Sequence, residues 1–308
     1  MRERLRARAG ATFVLALAAA LGAVACLGFH QGPMPGEPRK ASYASVAGAR
    51  VRYVDRGTGP AVVLLHGFAS ALETWQDVIP DLERRHRVLA LDLKGFGWTD
   101  RPEGDYSPAA QARLVLDLMA ERGIERAAVV AHSWGAAVAL ALALAAPARV
   151  TRLALYDAWI YEEQLPTTFL WSRTGGVGEI LFGLFYEERA DEKIALAFYD
   201  RGLVSESLVE DIDRAFARPG TKAAALAAVR GQRFADVQDR YRSIALPALL
   251  LWGREDRVAP LGYGERLARD LRRSRLAVYP RCGHFPMIEA RAASTADLVA
   301  FLDEEGGK

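Results

Sequence analysis

A serine becomes a useful nucleophile at neutral pH only beside a base, and one serine of this chain stands where such chemistry is built. Ser133 lies in Val129-Val130-Ala131-His132-Ser133-Trp134-Gly135-Ala136-Ala137. An apolar β-branched run meets a small–x–Ser–x–Gly turn, and an alanine-rich helical stretch follows. That layout is a strand-to-helix elbow, which holds a serine hydroxyl exposed above a sheet. Small residues are needed two positions either side of the serine, because the two backbones nearly touch there. Gly135 meets that need, and Ala131 stands where glycine is commoner. S-x-G triplets also arise by chance, so the reading depends on partners for Ser133.

Histidine is the natural base because its pKa lies near neutrality. The chain has five. His30 sits in a Pro/Gly-rich stretch, and His86 precedes a strand at the end opposite the elbow. His132 adjoins Ser133, so its side chain points away from it. His66 lies in the turn after an early strand. His284 follows the last strand, in Cys282-Gly283-His284-Phe285-Pro286, and is the expected base. A carboxylate must then fix its tautomer and stabilise the imidazolium. Asp92, Asp157 and Asp256 all fall at strand ends. In a strand–elbow–helix frame the chain order is serine, acid, histidine, which removes Asp92. Asp256, in the polar loop Trp252-Gly253-Arg254-Glu255-Asp256-Arg257, is the expected acid, with Asp157 in reserve and Glu255 a more distant third.

An oxyanion needs two fixed donors. One is the backbone N–H of Trp134, at the start of the helix after Ser133, where the helix dipole adds to it. The second is expected from the His66-Gly67-Phe68 turn, at the N–H of Phe68. Cys282, close to His284, reads as a passive small residue, since a thiol nucleophile needs an orienting frame of its own. With Cys26 it makes only two cysteines, too few for a disulfide framework or a zinc site.

The elements that would carry these residues are legible from periodicity. Continuous apolar strands are expected at 61–65, 88–93, 127–131, 150–156, 247–252 and 276–279, after a hairpin at 43–46 and 51–54. Helices are expected at 108–122, 134–146 and 292–303. Buried strands alternating with helices imply a parallel sheet covered on both faces. Residues 159–241 break the rhythm. They carry helical segments with Trp171, Phe182, Phe185, Tyr186, Phe198, Tyr199, Phe216 and Phe234, and read as a helical cap inserted into the sheet domain. Most of those aromatics are expected in the cap's own core, the remainder along a substrate cavity.

The first 30 residues stand apart. Arg2, Arg4, Arg6 and Arg8 against Glu3 give residues 1–25 a net +3, which leaves −1 for the rest of a chain whose total is +2. A near-neutral body carries no electrostatic case for nucleic acid. The basic start and the uncharged run 11–25 read as an export signal or a membrane anchor. Ala23-Val24-Ala25-Cys26 suits cleavage after Ala25, or lipidation of Cys26, although leucine is the usual residue three before such a cysteine. The apolar run to Phe29 also approaches the length of a membrane span. Residues 31–40, with three prolines and two glycines, read as a linker. The domain plan is therefore a signal or anchor at 1–30, core at 41–158, cap at 159–241 and core again at 242–308, with the catalytic domain outside the cytoplasm of a bacterial cell.

Together, H-G-F at 66–68, D-L-K-G-F-G at 92–97, A-H-S-W-G at 131–135, W-G-R-E-D-R-V-A-P at 252–260 and G-H-F-P at 283–286 resemble the α/β-hydrolase fold superfamily, in family order. The resemblance implies an eight-stranded, mostly parallel sheet with the second strand antiparallel and a cap after strand six. It also implies the roles given above to Ser133, Asp256 and His284. Relatives so implied include capped esterases, cofactor-free haloperoxidases, C–C bond hydrolases, haloalkane dehalogenases and epoxide hydrolases. The last two use an aspartate nucleophile, which Ser133 excludes. The expected activity is hydrolysis of an ester or related acyl bond of an apolar small molecule. Cleavage of a C–C bond in a β-diketone-like compound, and a tethered ligand-binding protein without turnover, are the alternatives. No metal or organic cofactor is implied.

Overall fold

The computed structural model describes residues 27–186 and 190–304. Eight strands form one sheet: β1 (Ser42–Val46), β2 (Ala49–Arg56), β3 (Ala61–Leu65), β4 (Arg87–Leu91), β5 (Ala127–His132), β6 (Val150–Tyr156), β7 (Ala248–Gly253) and β8 (Ser274–Tyr279). Their order is β1-β2-β4-β3-β5-β6-β7-β8. β2 pairs antiparallel with both β1 and β4, and every later pairing is parallel. The chain has the α/β-hydrolase fold.

The reason lies in the strands. β5 and β7 are buried along their whole length and β3 beyond its first residue, so both faces of the sheet must be covered. Helices Pro108–Glu121 and Trp134–Ala145 pack one face with Leu65, Val129 and Leu155. The short helix Ile79–Leu82 and helix Arg291–Asp303 cover the other, over Val62, Val130 and Leu251. Each fully buried Leu or Val contributes roughly 1.5–3 kcal/mol by leaving water. Ser107 caps the first of these helices, accepting from Ala110 N–H, and Pro108 opens it.

Between β6 and β7 the described residues form helices and no strand: Thr167–Ser172, Val177–Phe185, Ala190–Ala197, Glu206–Phe216 and Thr221–Gly231. The insertion touches the sheet domain at two places that matter. Phe169 packs on Phe68, ring centroids 5.7 Å apart, and the Ala197 carbonyl accepts from His284 N–H at 2.6 Å. Of the aromatics expected to fill the insertion's core, Phe182, Phe198 and Phe234 are buried, whereas Trp171, Phe185 and Tyr199 are exposed.

Residues 31–40 do not hang free. His30 and Arg101 exchange backbone hydrogen bonds at 2.9 and 2.8 Å, Met34 is buried, and Glu37 forms an ion pair with Arg50 at 2.6 Å. The Pro/Gly composition read as a linker therefore belongs to a strap laid on the core. Of the export signal or anchor expected at 1–30, residues 1–26, Cys26 included, lie outside the described residues. No helix among the described residues is long and apolar enough to cross a membrane.

Candidate active site

Ser133 sits between β5 and helix Trp134–Ala145 with φ 52° and ψ −123°, a backbone region a non-glycine residue rarely occupies. Its neighbours hold it there. Ser133 N–H donates to the Tyr156 carbonyl at 2.9 Å, and its own carbonyl accepts from Trp159 at 3.1 Å and Ala136 at 2.9 Å. The expected crowding is present. A Cβ on Gly135 would lie 2.5 Å from the His66 carbonyl oxygen, and one on Gly67 would lie 3.1 Å from the Ser133 Cβ. Ala131 is fully buried, so its methyl is accommodated where glycine is commoner.

His284 and Asp256 meet. His284 Nδ1 and Asp256 Oδ2 are 2.7 Å apart, and both residues are buried. Asp256 Oδ1 accepts from the N–H groups of Val258 at 2.7 Å and Ala259 at 3.0 Å, which fixes the carboxylate plane. His284 is tied to the elbow through His132, whose Nε2 donates to the His284 carbonyl at 2.8 Å. The two rings are 4.7 Å apart. Burial, then the proximity of His284, drives the His132 pKa well below its ordinary value, so His132 is a neutral donor.

Asp157 joins the same cluster. It follows β6 at φ 43°, is fully buried, and its Oδ1 accepts from Gly253 N–H at 2.9 Å. Ligand-type atoms of Asp157, Asp256 and His284 all lie within 4.8 Å of one another. Burial, then the Asp256 charge, pushes the Asp157 pKa well above the usual carboxyl range. A carboxyl buried against a second carboxyl is favoured in its protonated form, because two such neighbours cannot both ionise freely. A metal would compete here for atoms already committed, since both Asp256 oxygens have partners within the protein.

The remaining residues singled out from sequence have structural partners. Asp92 accepts from Leu72 and Trp98 N–H groups, each at 2.8 Å, and pairs with Arg52. Glu255 accepts from Cys282 N–H at 3.1 Å. His66 Nε2 accepts from Leu93 N–H at 2.9 Å, and burial lowers its pKa. His86 is buried 3.6 Å from Asp303, at the far end of the sheet. Burial pushes the Cys282 thiol pKa up, away from thiolate chemistry.

Aromatic rings surround the His66-Gly67-Phe68 turn. Phe68 packs edge-on to Phe96 at 5.4 Å and to Trp134 at 6.2 Å. Trp159 Nε1 donates to Gln232 at 3.1 Å, and Phe169 leads on to Phe182 at 6.5 Å. Sequence reading missed Glu289, whose carboxylate accepts from Gly283, Tyr199 and Asp200 N–H groups. Its only signal was a position five residues after His284. An open cleft of about 810 Å³ exists elsewhere, at the N-terminal ends of the strands, lined by Pro60, His86, Arg126, Val150 and Arg273 and by none of Ser133, Asp256 and His284.

Comparison with known proteins agrees with this fold. Residues 60–291 match the family model described as alpha/beta hydrolase fold, and the chain belongs to that family. It is 35% identical over 247 residues to a 2-hydroxy-6-oxo-2,4-heptadienoate hydrolase of Pseudomonas putida, covering 76% of this chain and 86% of that protein. It is 32% identical over 269 residues to a 2-hydroxymuconate semialdehyde hydrolase of a Pseudomonas species, covering 84% and 92%. Among solved structures, a meta-cleavage product hydrolase from Pseudomonas fluorescens superposes with a TM-score of 0.73 at 30% identity, over 85% of this chain and 97% of that one. An enol-lactonase from Burkholderia xenovorans superposes with a TM-score of 0.71 at 26% identity, over 85% and 100%. The protein is an enzyme with hydrolase activity acting on a small molecule.

Proposed function

We propose that this hydrolase attacks an ester or related acyl bond of an apolar small molecule through Ser133, His284 and Asp256. What carries the reading is the 2.7 Å contact between His284 Nδ1 and Asp256, on a loop hydrogen-bonded to the residue preceding Ser133. His284 Nε2 takes the Ser133 proton as Oγ attacks the acyl carbon. The N–H groups of Phe68 and Trp134 hold the oxyanion. The leaving group departs with the proton from His284, and an acyl-enzyme remains. Water, activated by His284, then releases the acid. The aromatic wall of Phe68, Trp159 and Phe169 favours an apolar substrate, with the insertion acting as its cap.

A second reading is favoured by the relatives, among them a 2-hydroxy-6-oxo-2,4-heptadienoate hydrolase, a 2-hydroxymuconate semialdehyde hydrolase and a meta-cleavage product hydrolase. In it the same residues cut a C–C bond beside a carbonyl, and the proton from His284 goes to carbon. A p-nitrophenyl ester panel of increasing acyl length, run beside a β-diketone-like compound, separates the two. Fast turnover of esters supports the first reading. Turnover of the diketone with poor esterase activity supports the second. No turnover of either, with no reaction towards a fluorophosphonate, supports the ligand-binding alternative.

We also propose that residues 1–30 export or anchor the domain, on the strength of their basic start and uncharged apolar run. Leu27, the first described residue, packs against the insertion's cluster of Phe182, Leu226 and Val229. If Cys26 is the lipidated residue, Cys26→Ser releases the protein from membranes on fractionation. Retention of that variant points to an uncleaved helix.

A further inference from the structure

Glu289 closes the short helix Pro286–Glu289, which begins two residues after His284. Its two carboxylate oxygens accept from Gly283 N–H, each at 3.2 Å, in the loop that carries the expected base. They also accept from Tyr199 N–H at 3.1 and 2.9 Å and from Asp200 N–H at 3.3 Å, in the helical insertion. One carboxylate thus gathers backbone donors from two segments that are far apart in the chain, at 199–200 and at 283. Charge-assisted bonds of this kind are among the stronger polar contacts.

The same two segments touch independently of Glu289. His284 N–H donates to the Ala197 carbonyl at 2.6 Å. Phe198 stacks on Phe285 with centroids 4.9 Å apart and planes 22° from parallel. The approach is close enough that a Cβ on Gly283 would lie 2.4 Å from the Ala197 carbonyl oxygen and 2.8 Å from Tyr199 N. The residues either side of the base are therefore shaped to receive segment 197–200, and among the described residues the base's own amide donates to that segment.

We propose that Glu289 is a positioning residue that staples segment 197–200 to the His284 loop, so that docking of the insertion and placement of the base are one event. The proposal rests on the reading of His284 as base. It assigns the insertion a role in building the catalytic geometry as well as in covering substrate. If segment 197–200 lifts, the N–H groups of Tyr199 and Asp200 lose their acceptor and His284 N–H loses the carbonyl that fixes its backbone, while β5 and β7 are untouched. Lid segments commonly open at such low-stability joints.

Hydrogen exchange on the full chain, read peptide by peptide, tests this without needing turnover. Glu289→Ala should speed exchange at 196–203 and 282–286 about tenfold, leaving 127–132 and 248–253 unchanged. With a short p-nitrophenyl ester, kcat should fall about tenfold while KM stays within about twofold. Glu289→Gln keeps one acceptor oxygen and should restore most of both. Unchanged exchange at 282–286 in Glu289→Ala overturns the staple, as does an equal rise in the strand peptides. Faster exchange with unchanged kcat overturns the link to the base. A wild-type protein inert to esters and fluorophosphonate would instead overturn the hydrolase reading, and the exchange comparison would still decide the staple.

Discussion

Asp256 accepts from Nδ1 of His284 at 2.7 Å, across 28 residues of chain, while its other oxygen is held by two backbone N–H groups. That contact makes Nδ1 the protonated ring nitrogen and leaves Nε2 as the basic one. Replacing Asp256 with Asn presents an amide that favours the opposite tautomer, and kcat on an ester should fall about 10⁴-fold with the fold intact. Asp157→Asn, by contrast, exchanges one neutral group for another of the same shape and should change kcat by less than about tenfold. Steady-state kinetics on the two purified variants check the pair. The reverse ranking would make Asp157 the acid that serves His284.

Asp157 also sets a pH dependence of stability. Burial and then the Asp256 charge raise its folded pKa well above the ordinary carboxyl value. Between those two values the folded state binds more protons than the unfolded state, so stability falls as pH rises through the window. Each pH unit inside it costs the wild-type protein at most about 1.4 kcal/mol. Asp157→Asn, which still accepts from Gly253, should raise Tm progressively above about pH 4 relative to wild type, and leave it unchanged below. Thermal melts from pH 3.5 to 8 read this out, and parallel curves for the two proteins would contradict it.

Much of this arrangement was legible in the sequence. Continuous apolar runs marked β3 to β8 because strands buried on both faces need no alternation. Gly135 and Gly67 betrayed the close approach of two backbones. The pairing of His284 with Asp256, expected from chemistry and order, is the contact the fold makes. Two things were not legible. Helix Leu261–Asp270 has polar residues on its outer face and begins after Pro260 without a Ser, Thr, Asn or Asp cap, so nothing punctuated it. Glu289 and segment 197–200 meet only through the fold, because backbone N–H groups donate to any carboxylate that arrives and leave no side-chain pattern behind. The Pro/Gly strap at 31–40 shows the opposite error: its composition speaks for flexibility, but buried Met34 and the Glu37–Arg50 pair hold it down.

The elbow should not tolerate a larger residue at Gly135. A Cβ there meets carbonyl oxygens of His66 at 2.5 Å and Leu65 at 2.8 Å, both parts of the backbone that cannot swing aside. Gly135→Val should cost about 3 kcal/mol or more. A urea titration followed by far-ultraviolet circular dichroism measures it, and an unchanged midpoint would mean that the strand and helix are not in contact there.

His132 should matter for stability more than for titration. Its Nε2 donor satisfies the buried carbonyl of His284. His132→Phe keeps the ring and removes the donor, at a cost of about 1–3 kcal/mol. The pKa of the residue lies well below its ordinary value, so the variant should leave the pH–rate profile between pH 6 and 9 in place. A melt and a pH–rate profile on the same preparation check both halves.

The central claim is that Ser133 is the nucleophile, and covalent labelling tests it most directly. Wild-type protein treated with a fluorophosphonate should gain one adduct by intact mass, mapped to the peptide containing Ser133. Ser133→Ala should gain none, and its kcat on p-nitrophenyl esters should be roughly 10⁶-fold lower. A folded wild-type protein that takes no adduct, or a Ser133→Ala variant that hydrolyses esters at the wild-type rate, would contradict the account.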